Sequence, residues 1–217
     1  MSLIEESDKQ AIKELFAQKM EGTAHIRFFS SKEDCQYCGE TQDLLQELAE
    51  LSDKVDLQVF DKDEAQDKVR QLGVNKYPAT VFVDDNENDT GVHLYGIPSG
   101  YEFGTLIEDI IDVANNHTEL SPETINALKQ IDQDVTLSVF ITPTWPYCPR
   151  AVRVAHHMAM INPHIKGEMI EAMEFMDLSS KHNVMGVPKT VINDGRAEQE
   201  GAVPEQVILS KIQEALR

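Results

Sequence analysis

The sequence predicts an α/β fold made twice over, two small units in tandem, and three observations carry that prediction. A Cys-X-X-Cys, Cys35 to Cys38, stands between a hydrophobic strand candidate and a leucine-rich helix candidate. An X-Pro pair, Tyr77-Pro78, opens a later strand. The pattern then returns at an offset of 110 residues: Cys38 maps onto Cys148, Val59-Phe60-Asp61 onto Met169-Ile170-Glu171, Val74 onto Val184, Pro78 onto Pro188 and Thr80 onto Thr190. Five markers in one register are a duplication, and they divide the 217 residues into units at 1–117 and 118–217.

Taken in order, Ser7 and Gln10 have capping-box spacing ahead of Ile12, Leu15, Phe16 and Met20, an amphipathic helix over 7–20. Ile26, Phe28 and Phe29 form a buried strand, and a polar loop leads from it to the dithiol. Leu44, Leu45, Leu48 and Leu51 follow at helical spacing. Val55 to Phe60 is a second strand, and 63–72 a helix stopped by Gly73. After Tyr77-Pro78 come a strand at 80–83, an acidic turn at 84–88, a strand near 92–95 and a helix near 103–113. Proline cannot donate to a ladder and X-Pro bonds are where cis peptides occur, so Tyr77-Pro78 is a candidate cis turn, with Pro188 its counterpart. Residues 115–120 lack periodicity, and Ser121-Pro122 restarts the pattern as an N-cap with proline at the first helical position.

Val139-Phe140 meets Phe28-Phe29 only after a one-residue shift, and the second hairpin turns more tightly at Asn193-Asp194-Gly195. One difference is chemical. Cys35 falls on Trp145, so the second unit reads Trp145-Pro146-Tyr147-Cys148, with Val187-Pro188 ahead of its strand. It keeps the second sulfur and lacks the first.

Three cysteines are too few for a disulfide framework and leave one unpaired, so cysteine here serves chemistry. A dithiol at a strand-to-helix junction puts its first sulfur at a helix N-terminus, where unpaired N–H groups favour the thiolate. Glu33, Asp34 and Glu40 are like-charged neighbours that oppose this, screened over about 8 Å. The balance is a lowered thiol pKa, short of that of a strong oxidant. A zinc reading needs two more ligands, and neither Cys148 nor the seven histidines supply a second metal-type pair, so no metal is expected.

Among other features, Met158 fits the inward helix face with Ala151, Val154 and Ala155, and His156, His157 and His164 read as solvated or capping groups. The 84–89 run reads as a solvated hairpin tip and not a calcium loop. Cys148 is either a buried small residue or a lone reactive thiol, and Trp145 either a plug over a retired site or a binding aromatic.

A net charge of -19, spread along the chain, makes nucleic acid and anionic membranes unexpected partners. No apolar run spans a membrane, and the acidic start lacks a secretory pattern, so the expected location is cytoplasmic.

A Cys-X-X-Cys opening a helix, an X-Pro strand start 43 residues after the first sulfur, and duplication of the pattern resemble the two-unit, glutaredoxin-like protein disulfide oxidoreductases of the thioredoxin superfamily. The likeness runs from about residue 7 to residue 216. It implies two tandem thioredoxin-like folds, each a mixed sheet with flanking helices. It also implies thiol-disulfide exchange with protein thiol or disulfide substrates, a thioredoxin-reductase-like reductant, and no cofactor beyond the redox-active disulfide. Family members typically carry a Cys-X-X-Cys in both units; Trp145 departs from this.

On this likeness Cys35 is the nucleophile and Cys38 the resolving thiol, and Gln36, Tyr37, Tyr77 and Pro78 contact substrate. Two alternatives stand beside it. One is a thiol relay for a single partner, similar to the duplicated amino-terminal unit of alkyl hydroperoxide reductase flavoproteins, where the intact dithiol is in the second unit. The other is a non-catalytic peptide-binding or holdase module.

Overall fold

The computed structural model describes residues 2–33 and 35–217. Strands β1 (Ala24–Ser30), β2 (Val55–Asp61), β3 (Ala79–Val83) and β4 (Asp89–Tyr95) form the first half of one sheet. Strands β5 (Val135–Ile141), β6 (Ile165–Glu171), β7 (Lys189–Ile192) and β8 (Ala197–Glu200) form the second. The spatial order β2-β1-β3-β4-β6-β5-β7-β8 repeats one arrangement: β1 lies parallel to β2 and antiparallel to β3, as β5 does to β6 and β7. The halves join where β4 and β6 run parallel, from Val92–Gly167 to Tyr95–Ile170, so eight strands share one hydrogen-bonded ladder.

Alternation along the strands sends side chains to two cores. Ile26, Phe28, Phe82, Val92, Leu94, Leu137, Val139 and Met169 pack under helices α1 (Glu6–Lys19), α2 (Cys38–Ala49), α4 (Tyr101–Asn115), α5 (Pro122–Leu128), α6 (Cys148–Ile161) and α8 (Glu205–Ala215). Phe29, Val81, Tyr95, Phe140, Ile170 and Val191 face the opposite side, under α3 (Gln66–Leu72) and α7 (Met176–Lys181). Buried Arg27 also lies on that second side and is paired with Asp56 and Glu87.

The offset of 110 residues holds for the starts of α2 and α6, β2 and β6, α3 and α7, and β3 and β7. The one-residue shift is confined to β1 and β5, because the loop from β5 to Cys148 is one residue shorter than that from β1 to Cys38. Ser121 caps α5 through its side chain, which accepts from the Thr124 N–H at 3.3 Å. Gly73 ends α3 at φ 66°, a left-handed conformation that glycine adopts without a Cβ clash.

Two local expectations fail. Ser7 does not cap the first helix: α1 starts at Glu6 with Glu5 at the N-cap and no side-chain cap, and Gln10 bonds Glu14 one turn on. The entry to α1 is instead tied down by Glu47 of α2, whose carboxylate accepts from the Leu3 N–H at 2.7 Å and the Ser2 hydroxyl at 2.8 Å. Helix α3 starts at Gln66, because Asp61 accepts from the Asp63 N–H at 2.9 Å and holds the intervening residues in a turn.

Helix α6, which carries Cys148, lies directly on β6. A Cβ on Gly167 would stand 2.5 Å from the Ala155 carbonyl oxygen and 2.9 Å from the His156 nitrogen, both backbone atoms. Gly167→Ala is therefore expected to cost about 3 kcal/mol, read as a fall in the urea midpoint; an unchanged midpoint contradicts this packing.

Candidate functional site

The dithiol loop leaves the C-terminal end of β1, and β3 runs back beside it. Since Phe29 pairs with Ala79, Pro78 lies one position beyond that pair, next to the departing loop. The carboxyl ends of parallel β1 and β2, the first turn of α2 and the Tyr77-Pro78 corner thus share one end of the sheet, where open α/β sheets bind ligands. Tyr77-Pro78 and Val187-Pro188 are both cis.

Cys35 and Cys38 are joined in a disulfide, with Cα atoms 5.5 Å apart. Cys38 is the first helical residue of α2 and is buried, and its sulfur accepts from the Ser31 N–H at 3.3 Å. Cys35 is half-buried in the preceding turn. This corrects the expected placement: the second sulfur occupies the helix start, and the first sits one turn ahead of it. The Thr41 N–H reaches back only as far as the Tyr37 carbonyl, at 2.9 Å, so helical bonding stops short of Cys35.

Of the neighbouring acids, Glu33 and Glu40 are exposed, and Asp34 lies outside the described residues. Gln36 is exposed, Tyr37 and Tyr77 are half-buried and Pro78 is buried. Burial and the nearby Asp63 carboxylate raise the Tyr77 phenol, and Lys62 Nζ stands 5.9 Å from its ring centroid.

A residue that sequence reasoning missed braces this corner from the other half of the sheet. The Gly96 N–H donates to the Pro78 carbonyl at 3.1 Å, and the next N–H, of Ile97, donates to Glu174 Oε1 at 2.6 Å. Burial pushes the Glu174 carboxyl up to about 7; the Ile97 bond opposes this, and the charges of Glu171 and Glu40 add to it. Its sequence counterpart, Glu64, is an exposed loop acid, so no periodicity or motif marked the position.

In the second unit, Trp145, Pro146 and Tyr147 repeat the loop-and-turn path of Cys35, Gln36 and Tyr37, and Cys148 begins α6 as Cys38 begins α2. Trp145 is 48% exposed, so half of its surface meets water. Cys148 is fully buried, as expected of a small core residue. Burial pushes its thiol up to about 11, with a backbone hydrogen bond from Thr142 opposing and Glu102 contributing. Val187 is half-buried and Pro188 buried.

Glu102 lies in the first turn of α4 of the first unit, a turn pinned to the second unit by the Tyr101 N–H donating to the Pro143 carbonyl at 3.0 Å. Two histidines read as solvated or capping are instead buried along this seam. His156 bonds Asp109 at 2.8 Å and His157 bonds Asp112 at 2.9 Å, because α4 and α6 pack face to face where the units meet. His164 is exposed and bonds Asp134, as a solvated group does.

Burial also pushes the Glu102 carboxyl up to about 7; a 2.6 Å bond from the Thr105 hydroxyl and His156 oppose this, and Asp109 adds to it. Between the ordinary carboxyl value and about 7 the folded chain holds a proton that the unfolded chain has lost, so stability falls as pH rises through that window. Ionising this group in the fold costs on the order of 3 kcal/mol. Glu102→Gln is expected to remove most of that loss, making the variant about 2 kcal/mol more stable than the parent at pH 8 in urea denaturation, with a smaller gap at pH 5. Equal gaps at both pH values contradict the assignment.

Known proteins agree with this architecture. A thioredoxin domain family matches residues 135–214, the half without the first cysteine. The alkyl hydroperoxide reductase AhpF of Staphylococcus aureus (strain NCTC 8325 / PS 47) is 29% identical over 204 residues, 94% of this chain and 36% of that protein. Its counterpart in Escherichia coli (strain K12) is 27% identical over 190 residues, 88% of this chain and 34% of that protein. The chain spans about a third of the length of these curated relatives.

Among solved structures, a protein disulfide oxidoreductase from Aeropyrum pernix K1 superimposes with a TM-score of 0.89 at 29% identity, over 96% of this chain and 92% of that one. The alkylhydroperoxide reductase AhpF of Enterococcus faecalis (V583), as a C503A mutant, follows at 0.88 and 28%, over 96% of this chain and 99% of that one. The chain carries the thioredoxin fold twice in one continuous sheet, with the Cys-X-X-Cys disulfide in the first half.

Proposed function

We propose that the chain is a thiol-disulfide oxidoreductase acting on protein disulfides through Cys35 and Cys38. The observation that carries this is the disulfide between a half-buried and a buried cysteine at the carboxyl end of the first half-sheet. In the reduced chain the Cys35 thiolate attacks one sulfur of a substrate disulfide; that bond breaks, and the leaving sulfur takes up a proton. Cys38, deprotonated, then attacks Cys35 Sγ, the mixed disulfide breaks, and the second substrate sulfur leaves as a thiol. Two electrons pass to the substrate and the Cys35–Cys38 disulfide remains, to be reduced by an external dithiol such as a thioredoxin-reductase-like protein. Run in reverse, the same steps oxidise a dithiol. No further cofactor is needed. Gln36, Tyr37, Tyr77 and Pro78 frame the approach to Cys35.

A relay serving one redox partner is the second reading, favoured by the near-equal likeness to the disulfide oxidoreductase and to alkyl hydroperoxide reductase. Insulin reduction by dithiothreitol separates the two. A broad oxidoreductase accelerates insulin precipitation strongly, a dedicated relay weakly, and a binding module leaves the rate of dithiothreitol alone, which would refute the proposal.

A further inference from the structure

Nine large apolar side chains among the described residues are conspicuously exposed, and five of them, Trp145, Tyr147, Met173, Met176 and Met185, gather at one end of the second half-sheet. Trp145 and Tyr147 stand on the loop after β5, Met173 and Met176 after β6, and Met185 just ahead of β7, and these three strands are neighbours. Met185 is 92% exposed, so it is not there for packing. Under the 110-residue register the three methionines replace Asp63, Gln66 and Asn75.

The charges around them have been removed too. Lys32, Glu33, Lys62 and Asp63 of the first unit correspond to Thr142, Pro143, Ala172 and Met173, while Glu40 and Glu64 correspond to Arg150 and Glu174, one charge of each sign. Asp177, beside Met176, is kept from Asp67, and Lys76 stands across the cleft, so in a chain of net charge -19 the rim holds two charges of each sign, Arg150 and Lys76 against Glu174 and Asp177. A cleft of about 500 Å³ leads from it to the first unit, between Asn75 and Lys76 on one side and Glu174, Phe175, Met176, Asp177 and Leu178 on the other. Asn75 and Lys76 run directly into Tyr77-Pro78.

We infer that the methionine face of the second unit holds an extended, apolar, uncharged segment of a non-native protein while a disulfide elsewhere in that protein reacts at Cys35. The inference rests on the proposed exchange reaction and names its substrate class. Asn75 and Lys76, which wall the cleft and adjoin the Tyr77-Pro78 corner in the chain, set the direction of the segment, and the balanced rim sets its charge. Methionine, flexible and polarisable, suits a surface that must accept many sequences.

The test combines Met173→Ser, Met176→Ser and Met185→Ser in one chain. All three side chains are exposed, and circular dichroism checks the fold. Reduced, carboxymethylated α-lactalbumin, permanently unfolded and without a disulfide, serves as the binding probe, and 5,5′-dithiobis(2-nitrobenzoate) reports sulfur chemistry alone. The triple variant is expected to weaken probe binding about tenfold and to raise KM for insulin similarly, with its rate on the small disulfide unchanged. Cys35→Ser keeps parental affinity for the probe. Equal probe affinity in parent and triple variant overturns the inference, as does a concentration-dependent dimer of the parent that the triple variant abolishes, since a second copy then fills the face. A parent that fails to react with the small disulfide refutes the exchange reaction instead, a result distinct from either.

Discussion

Replacing Cys35 with serine is expected to bring insulin reduction down to the rate of dithiothreitol alone, a loss of at least about a thousandfold in turnover, whereas replacing Cys38 with serine is expected to stop the reaction one step later. The asymmetry follows from burial. Cys35 is half-buried in the turn ahead of α2, and Cys38 is buried at the helix start with the Ser31 N–H on its sulfur. A bulky protein disulfide reaches only the first sulfur, while the second reaches only the first. Cys38→Ser therefore accumulates a mixed disulfide that intact mass spectrometry detects as the chain plus one substrate, and Cys35→Ser accumulates none. Full activity in Cys35→Ser, or adducts on Cys38 in that variant, refutes the assignment of roles. Cys148 does not substitute for Cys35, because its buried thiol is pushed up to about 11 and remains protonated at neutral pH.

The second large effect is a gain. Trp145→Cys is expected to create a second redox disulfide with Cys148. The backbone between the two positions already follows the path of Cys35 to Cys38: an irregular residue, two turn residues and a helix start, with the Cys148 N–H on the Trp145 carbonyl at 3.2 Å. Trp145 is half exposed and fills no core position, so removing it opens no cavity of consequence. Glu102, held near 7, adds its charge to the burial that raises the Cys148 thiol. In a Cys35→Ser background, Trp145→Cys restores insulin reduction to within about tenfold of the parent, and oxidation removes two hydrogens from the intact mass. Adding Glu102→Gln is expected to speed the restored reaction most above pH 7, where the charge it removes opposes the Cys148 thiolate. No disulfide between residues 145 and 148 after oxidation contradicts the equivalence of the two turns.

How much of this was readable in advance differs by element. Leu44, Leu45 and Leu48 keep helical spacing and are buried in α2, and Gly73 stops α3 where the chain turns left-handed. Each is a local signal acting within a few residues. The capping box at Ser7 failed because a three-residue spacing recurs by chance, and the competing tie to Glu47 lies 44 residues away. The sequence puts the start of α2 three residues early for a related reason: the motif marks the sulfurs, while the last backbone bond, Thr41 to Tyr37, marks the helix. His156 and His157 look solvated in the sequence because polar residues on a helix carry no sign of the second helix that covers them.

The sequence by itself determined the duplication, the order of elements, the sulfur pair and the loss of its counterpart at Trp145. These follow from side-chain periodicity, turn chemistry and residue identity, which act over short stretches. Only the tertiary structure decided that β4 and β6 join the halves into one sheet, that Glu174 braces the Pro78 corner from the far half, and that the Glu102 charge acts on Cys148. Glu174 and Ile97 are 77 residues apart, and His156 and Asp109 are 47 apart. A single carboxylate or imidazole carries no periodic signal across such a gap, and its protonation is settled by what folding packs around it.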